Sequence, residues 1–243
     1  MKKVLLVLSI FLLIGCSKKI SYKEELNLLA KHYHDNSSFT QGLFFHDGQM
    51  YETIGLYGKS KLIKNVNIES GEYDKEYKFE DDIFAEGATV FKDKIYVLTW
   101  KEKKIFVFNI DTLELERELE YDKEGWGLTT DGNFLIASDG TNNLYYLDED
   151  ANIVKTVTID GVFYLNELEY INGEIWANVY MSDYIAIINP VNESLSRMLD
   201  MDGLYIKPDD VNSVLNGIAF NNNRVFLTGK NWDTLFEFAL GGK

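Results

Sequence analysis

A pattern of fifteen residues recurs five times along the chain, and this repeat constrains the fold more than any other feature. Residues 86–100 align without a gap on residues 166–180 and on residues 216–230. Residues 41–55 fit the same frame, and a weaker copy begins at Gly125. Each copy reads as a polar residue, usually followed by glycine, then an apolar strand, a tight turn and a second apolar strand, so each predicts a β-hairpin.

The spacing of the copies predicts the architecture. They start at residues 41, 86, 125, 166 and 216, which is one start every 39 to 50 residues. Repeats of about 40 to 50 residues built from short strands are typical of propeller blades. No helical periodicity separates the strands, which argues against a parallel α/β fold. We therefore predict an all-β fold, with residues 16–243 forming a single five-bladed β-propeller domain.

The two ends of the repeat region predict how the ring closes. The last copy has only 28 residues before the chain ends at Lys243, enough for three strands. We expect the N-terminal segment 25–33 to pair as the missing outer strand of that last blade. Such pairing removes the open edge of the ring, which would otherwise template aggregation.

Residues 1–15 are interpreted as a lipoprotein signal peptide. Two lysines precede an apolar run at residues 4–14, which is too short to span a bilayer but has the length of a secretory signal. The following Leu13-Ile14-Gly15-Cys16 resembles the lipobox of bacterial lipoproteins, in which the cysteine is acylated. We expect an exported bacterial lipoprotein, a monomer anchored in a cell-envelope membrane by lipid on Cys16, facing the periplasm or the exterior.

The net charge and the cysteine count exclude one class of partner and one kind of cross-link. The formal net charge of −15 repels phosphate backbones, so no nucleic-acid partner is expected. Cys16 is the only cysteine, so no disulfide is expected within the domain.

Polar and aromatic residues are predicted to converge at one mouth of the central channel. The first strand of each blade lines that channel, so the five copy starts should face one another: Gln41, Glu86, Gly125 or Trp126, Asn166 and Asn216. The fifteenth position of each copy should return to the same end: Gly55, Trp100, Asp139, Tyr180 and Lys230. Taken singly, each of these residues could have a purely structural role, because glycine after a polar residue often marks a β-bulge and indoles often pack between blades. Together they indicate a binding or catalytic site.

Ten ordered motifs, covering the chain from about Phe39 onward, resemble the plant and bacterial type of glutaminyl-peptide cyclotransferase. They are Phe39-Thr-Gln-Gly-Leu43, Tyr51-Glu-Thr-Ile-Gly-Leu-Tyr-Gly58, Phe84-Ala-Glu-Gly87, Leu98-Thr-Trp100, Glu124-Gly-Trp-Gly-Leu128, Ser138-Asp-Gly-Thr141, Asn166-Glu-Leu-Glu169, Trp176-Ala-Asn-Val179, Asn216-Gly-Ile-Ala219 and Thr228-Gly-Lys230. The resemblance implies a five-bladed propeller that cyclises the N-terminal glutamine of peptides and proteins to pyroglutamate, with release of ammonia and no cofactor.

The resemblance also implies roles for individual residues. Glu86 would be the catalytic proton shuttle. Tyr180 stands where the family often has tryptophan. The tyrosine keeps an aromatic ring at this position but has a phenol group in place of the indole N–H. The substrate-binding residues would be Gln41, Trp100, Trp126, Asn166, Tyr180 and Lys230.

This chemistry suits a single carboxylate in an aromatic pocket. The amine attacks a carboxamide of the same molecule, so the protein must mainly move protons and stabilise an oxyanion. A glutamate pKa of about 4.3 is low for a proton donor near neutrality, so we expect burial to raise the pKa of Glu86. The reaction needs no metal, and His32 with His34 offers too few ligands for a metal site.

Two other functions fit the same channel mouth. The first is a metal-dependent, lactonase-like hydrolase in which Gln41, Glu86, Asn166 and Asn216 surround a calcium ion. Only one of these four side chains is a carboxylate, and this low negative charge argues against a site for a catalytic divalent ion. The second is a non-catalytic propeller that binds a peptide or a sugar, because fold does not fix function.

Overall fold

A computed structural model describes residues 18–206 and 209–241. This part of the chain forms 21 strands and one 3-10 turn at Tyr22–Glu24. It contains no helix long and apolar enough to cross a membrane. The predicted signal peptide and the lipidated Cys16 lie outside the described residues. In chain order the strands are β1 (Lys19–Ser21), β2 (Leu26–Tyr33), β3 (Thr40–His46), β4 (Gln49–Ile54), β5 (Lys61–Lys64), β6 (Lys75–Lys78), β7 (Ala85–Phe91), β8 (Lys94–Thr99), β9 (Lys104–Asn109), β10 (Leu115–Glu120), β11 (Leu128–Thr130), β12 (Leu135–Ser138), β13 (Asn143–Leu147), β14 (Ile153–Thr158), β15 (Leu165–Ile171), β16 (Glu174–Val179), β17 (Tyr184–Asn189), β18 (Ser194–Asp200), β19 (Leu215–Asn221), β20 (Arg224–Gly229) and β21 (Thr234–Leu240).

The strands are arranged as five sheets around a central channel. Four blades are consecutive: β3 to β6, β7 to β10, β11 to β14, and β15 to β18; the fifth contains β19, β20, β21 and β2. The inner strands β3, β7, β11, β15 and β19 contact one another in a closed ring. The prediction of an all-β five-bladed propeller is confirmed.

The N-terminal segment closes the ring as expected. Strand β2 pairs antiparallel with β21, with Leu26 opposite Leu240 and Tyr33 opposite Thr234. The sequence did not predict a second contact: β1 adds to the outer edge of the fourth blade, parallel to β18, with Ile20 opposite Leu199. The segment therefore joins the fourth and fifth blades as well as closing the fifth.

Tight turns connect the two inner strands of most blades. In four blades both central residues of this turn have positive φ: Asp47-Gly48, Lys92-Asp93, Asn172-Gly173 and Asn222-Asn223. Such pairs form the turn whose twist matches two antiparallel strands, and Gly, Asn and Asp adopt positive φ most readily. These turns set the hairpin register and therefore the position of each site residue.

A β-bulge interrupts the start of four inner strands. The pairing register shifts between Thr40 and Gly42, and again at the equivalent positions of β7, β15 and β19. A bulge bends its strand and re-aims the side chain next to it. The four copy starts that lie at these bulges are Gln41, Glu86, Asn166 and Asn216.

Apolar clusters fill the interfaces between blades, and they differ in size. The four interfaces between consecutive blades each hold twelve or more buried apolar residues. The interface between the last blade and the first holds only five: Leu43, Met50, Ala219, Phe226 and Leu235. This closure interface therefore has the smallest buried apolar cluster of the five.

Candidate active site

Nine side chains line a cavity of about 250 Å³ at one mouth of the channel. All seven predicted catalytic and substrate-binding residues are among them, and Phe39 and Phe84 complete the wall. In chain order the lining residues are Phe39, Gln41, Phe84, Glu86, Trp100, Trp126, Asn166, Tyr180 and Lys230.

Bulges at the start of inner strands and left-handed turns after the second strands bring these side chains together. Gln41, Glu86 and Asn166 lie at the bulged starts of inner strands. Tyr180 and Lys230 follow the second strand of their blades, and the next residue in each case, Met181 or Asn231, has a φ of 60°. This left-handed conformation turns the chain sharply after the site residue. The repeat thus places equivalent positions at the same end of each blade.

The third blade contributes Trp126, which settles the choice between Gly125 and Trp126. The Trp126 backbone N–H donates to Ser138 O at 3.1 Å, which fixes the residue ahead of β11. The indole packs over Gly140, where a Cβ atom would overlap the ring. Its other neighbour is Tyr180, at 5.4 Å between ring centroids in an edge-to-face arrangement. Tyr180 therefore retains an aromatic contact with the site.

Trp100 is held by contacts on three sides. Its indole N–H donates to Glu124 Oε2 at 3.1 Å, and Lys101 Nζ lies 3.7 Å from the ring centroid. Phe84 packs edge-to-face at 5.5 Å. Because the N–H already has a carboxylate partner, Trp100 forms a wall of the cavity rather than a free hydrogen-bond donor. The sequence did not identify Glu124 as that partner.

Asn216 is a copy start that does not line the cavity. It is fully buried, and its Nδ2 donates to Thr40 O at 2.8 Å. The same nitrogen lies 3.4 Å from Gln41 Oε1. Because Gln41 Oε1 faces the Asn216 donor, the side-chain amide nitrogen of Gln41 points towards the cavity and can donate a hydrogen bond there.

Glu86 is a buried carboxyl group whose pKa is raised. Its side chain is 5% exposed, and within residues 18–206 and 209–241 no hydrogen bond to its carboxylate is found. Burial raises its pKa well above 4.5; attraction to Lys230 opposes the rise, and repulsion by Glu102 and Glu124 adds to it. The expected rise in the pKa of Glu86 is therefore present, with burial as the main cause.

Lys230 provides the only cationic group among the nine lining residues. Burial lowers its pKa to about 8, and the charge of Glu86 opposes this change. Its Nζ lies 4.6 Å from the ring centroid of Phe39 and 5.3 Å from that of Tyr180. Aromatic faces thus partly compensate the lost hydration of the ammonium.

Two polar atoms of lining residues are buried without a hydrogen-bond partner in the described chain. They are Trp126 Nε1 and Asn166 Oδ1. Buried polar atoms are nearly always hydrogen-bonded, so these two atoms are candidates to bond a ligand or a water; the Trp176 and Trp232 N–H groups, outside the cavity lining, are unpartnered in the same way. The cavity therefore combines an indole donor, a carboxamide acceptor, a buried acid and an ammonium.

Comparison with known proteins identifies the family. A model of the glutamine cyclotransferase family matches residues 5–240. The chain belongs to the glutamine cyclotransferase family. A glutaminyl-peptide cyclotransferase of Arabidopsis thaliana is 36% identical over an alignment 241 positions long, which covers 93% of this chain and 75% of the plant protein. The family and enzyme class expected from the motifs are confirmed.

Solved structures support the same assignment. The glutaminyl cyclase of Myxococcus xanthus matches with a TM-score of 0.80 at 32% sequence identity, over 88% of this chain and 96% of that chain. The WD40 domain of Neurospora crassa Pan2 matches with a TM-score of 0.51 at 12% identity, over 90% and 96% of the two chains. The second match concerns the propeller fold alone.

Two buried carboxyl groups that do not line the cavity were not predicted. Glu167 follows Asn166 and is buried, and a second buried carboxylate, Glu52, lies 3.3 Å from His34. Among the described residues, no group of three or more His, Cys, Asp or Glu side chains is placed to hold a metal ion. His34 contacts Glu52, whereas His32 contacts Glu69 and Glu237.

Proposed function

We propose that this protein converts the N-terminal glutamine of peptides to pyroglutamate and releases ammonia, with Glu86 as the proton shuttle. The observation that carries the proposal is the Glu86 carboxyl group, buried in the cavity without a hydrogen bond from the described residues. Membership of the glutamine cyclotransferase family supports the same reaction.

The substrate brings both reacting groups, so the cavity acts by orientation. The α-amine and the γ-carboxamide belong to one residue, and their reaction is intramolecular before the enzyme contributes. An aromatic wall of Phe84, Trp100 and Trp126 is suited to hold the glutaminyl side chain in its folded conformation and to exclude water. The side-chain N–H groups of Gln41 and Lys230 can then donate hydrogen bonds to the carboxamide oxygen of the substrate.

Two proton transfers complete the reaction. The amine nitrogen attacks the carboxamide carbon, a C–N bond forms, and the Glu86 carboxylate accepts a proton from that nitrogen. Glu86 then donates the proton to the amide nitrogen as the second C–N bond breaks, so ammonia leaves and the carboxylate is regenerated. A raised pKa suits this exchange, because the best acid–base catalysts have a pKa near the working pH.

The tetrahedral intermediate carries an oxyanion that needs a positive or hydrogen-bonding partner. Lys230 is suited to this role, because a pKa of about 8 leaves its ammonium mostly charged at neutral pH. The unpartnered Trp126 N–H is a second donor at the cavity wall. Preorganised donors of this kind are usually the largest catalytic contribution in acyl transfer.

Mass spectrometry of a Gln-initiated dipeptide tests the proposal. The wild-type protein should convert it to a product lighter by one ammonia, and Glu86→Gln should do so only slowly. Glu149→Gln is a matched control, since it removes a half-exposed carboxylate paired with Lys92 on the surface. Activity that EDTA abolishes would favour the metal-dependent hydrolase, and binding without turnover would favour the non-catalytic propeller.

We further propose that the protein is an exported bacterial lipoprotein anchored in a cell-envelope membrane through acylated Cys16. Support comes from the apolar run at residues 4–14 and the lipobox-like Leu13-Ile14-Gly15-Cys16. Only two residues would separate the anchor from β1, so the propeller would sit close to the membrane surface. Cys16→Ala should yield an unprocessed or mislocalised precursor; correct processing and membrane recovery of this variant would contradict the proposal.

We also propose that the propeller acts as a monomer. Its outer strands carry charged side chains, as in β10 with Glu116, Arg117, Glu118 and Glu120, and such edges resist pairing with a second chain. Light scattering of the mature chain in detergent should give the mass of a single copy.

A further inference from the structure

A short segment of the chain connects the last blade to the first, and we call residues 34–39 the closure link. It leaves β2 in the fifth blade and enters β3 in the first. His34 is its first residue and is only 4% exposed. The site residues on the two sides of the link, Gln41 and Lys230, come from these two blades.

Both ring nitrogens of His34 face hydrogen-bond acceptors. Nδ1 lies 2.7 Å from Trp232 O, and Nε2 lies 3.3 Å from Glu52 Oε1. A carbonyl and an ionised carboxylate only accept, so with Glu52 ionised both ring nitrogens donate and the ring is an imidazolium. Burial acts to lower the pKa of His34, and the charge and hydrogen bond of Glu52 outweigh it, so the net pKa is raised above 6.5.

Glu52 connects this imidazolium to Gln41. The same Oε1 accepts the Thr40 hydroxyl at 2.7 Å, and Thr40 is fully buried. The Thr40 carbonyl in turn receives Asn216 Nδ2, which lies beside Gln41 Oε1. A continuous set of buried polar contacts therefore runs from His34 to the carboxamide of Gln41.

The other nitrogen connects His34 to the turn that carries Lys230. Trp232 O belongs to that turn, and the neighbouring Asn231 N–H donates to Ser38 O of the closure link at 2.8 Å. Phe39, the last residue of the link, lies beneath the ammonium of Lys230. His34 thus bridges the elements that hold Gln41 and Lys230.

We propose that His34 and Glu52 are a positioning pair that fixes Gln41 and Lys230 relative to each other across the closure interface. That interface has the smallest apolar cluster of the five, so its geometry depends on polar contacts. A buried ion pair contributes little net stability but defines one arrangement, which is the property that a preorganised site needs. The catalytic consequence rests on the proposed cyclotransferase function.

The test compares His34→Gln, Glu52→Gln and the double variant. Each single variant leaves one buried charge unpaired, whereas the double variant restores a neutral hydrogen-bonded pair. Misplacement of site groups by about 1 Å can cost as much as 10²-fold in rate, so we expect each single variant to lose at least about tenfold in kcat/KM. The double variant should recover most of that loss, and rates are measured under conditions where circular dichroism shows each variant folded.

Glu174→Gln provides the matched control. It breaks an ion pair that is less buried than His34–Glu52, Glu174 Oε1 with Arg197 Nη1 at 2.7 Å, in the fourth blade away from the closure link. This control should lower stability and leave kcat/KM unchanged. If Glu52→Gln behaves like the control, with lower stability and wild-type kcat/KM, the pair is only structural and the proposal is wrong.

A second measurement does not depend on turnover. The side-chain amide signals of Gln41 in NMR spectra report its environment directly, and they should shift in His34→Gln and Glu52→Gln but not in Glu174→Gln. Unchanged Gln41 signals would overturn the positioning role even in an active enzyme. Shifted signals in a protein without cyclase activity would refute the proposed function and leave the positioning role standing.

Discussion

Glu86 and Glu167 are buried carboxyl groups at adjacent positions of the same repeat, yet their surroundings differ. Glu86 starts the second copy and is 5% exposed; Glu167 is the second residue of the fourth copy and is 1% exposed. The Glu86 carboxyl group accepts no hydrogen bond from the described residues; the Thr53 hydroxyl donates to its backbone carbonyl instead. Glu167 accepts the backbone N–H of Ile218 at 2.9 Å and of Leu43 at 3.4 Å.

The difference separates the proposed proton shuttle, Glu86, from a carboxyl group whose hydrogen bonds hold the fold together, Glu167. Burial raises the pKa of both carboxyl groups well above 4.5, so a raised pKa alone does not distinguish them. Glu167 uses its oxygens to join the fourth blade to the inner strands of the fifth and the first. Glu86 has its oxygens left for a ligand. Hydrogen-bond satisfaction, more than burial, therefore distinguishes the catalytic candidate.

The largest effect should come from Glu86→Gln. The variant keeps the shape and hydrogen-bonding capacity of the side chain but cannot transfer a proton. General acid–base catalysis contributes about 10²–10⁴ in rate, so kcat should fall by that factor. KM and the midpoint of urea unfolding should change little, because no core contact is lost. Steady-state kinetics with nearly wild-type kcat would show that Glu86 is not the shuttle.

Glu167→Ala should produce the opposite result. Two buried N–H groups lose their acceptor, and each unsatisfied donor costs roughly 1–3 kcal/mol, so the free energy of unfolding should fall by about 2–6 kcal/mol. Activity per folded molecule should be retained within about tenfold, since Glu167 does not line the cavity. Urea titration followed by tryptophan fluorescence measures the change. A stable but inactive variant would place Glu167 in the catalytic machinery and remove the contrast with Glu86.

The repeat explains why so much of the site could be predicted. Once the copies are aligned, equivalent residues must face one channel, and the first and fifteenth positions identify Glu86, Trp100, Asn166 and Lys230 without coordinates. Closure by β2 followed from the short last copy in the same way.

What could not be predicted depends on contacts between copies. Position two of the repeat is glycine in the first, second and fifth copies and glutamate only at Glu167, but which N–H groups it reaches depends on how the inner strands meet. The His34–Glu52 contact and the Trp100–Glu124 bond join side chains that no periodicity relates. Their partners are set by the ring closure and by loop conformation, neither of which the repeat encodes.

The charge of Lys230 provides a third test, through pH. Its pKa is lowered to about 8, so the ammonium is present below that pH and is lost as the pH rises through it. If the ammonium stabilises the oxyanion, kcat/KM, which reports the free enzyme, should fall about tenfold per pH unit above 8. Lys230→Arg keeps a cation throughout this range. The decline in rate above pH 8, which is the basic limb of the pH–rate profile, should therefore disappear in this variant, even where its maximal rate is lower. A basic limb that persists unchanged in Lys230→Arg would assign it to another group.

The smallest effect should come from Trp100→Phe, compared with Trp126→Phe. The Trp100 N–H already donates to the exposed Glu124, whereas the Trp126 N–H is buried without a partner. Replacing Trp100 loses one ordinary hydrogen bond, worth about 0.5–1.5 kcal/mol, so kcat/KM should fall by no more than about tenfold. Trp126→Phe removes a buried donor on a residue that lines the cavity; if the reaction gives this donor a partner, kcat should fall further than KM changes. If the two substitutions instead have equal effects on kcat, then partnered and unpartnered donors contribute alike, and hydrogen-bond satisfaction no longer separates reactive from structural groups around this cavity.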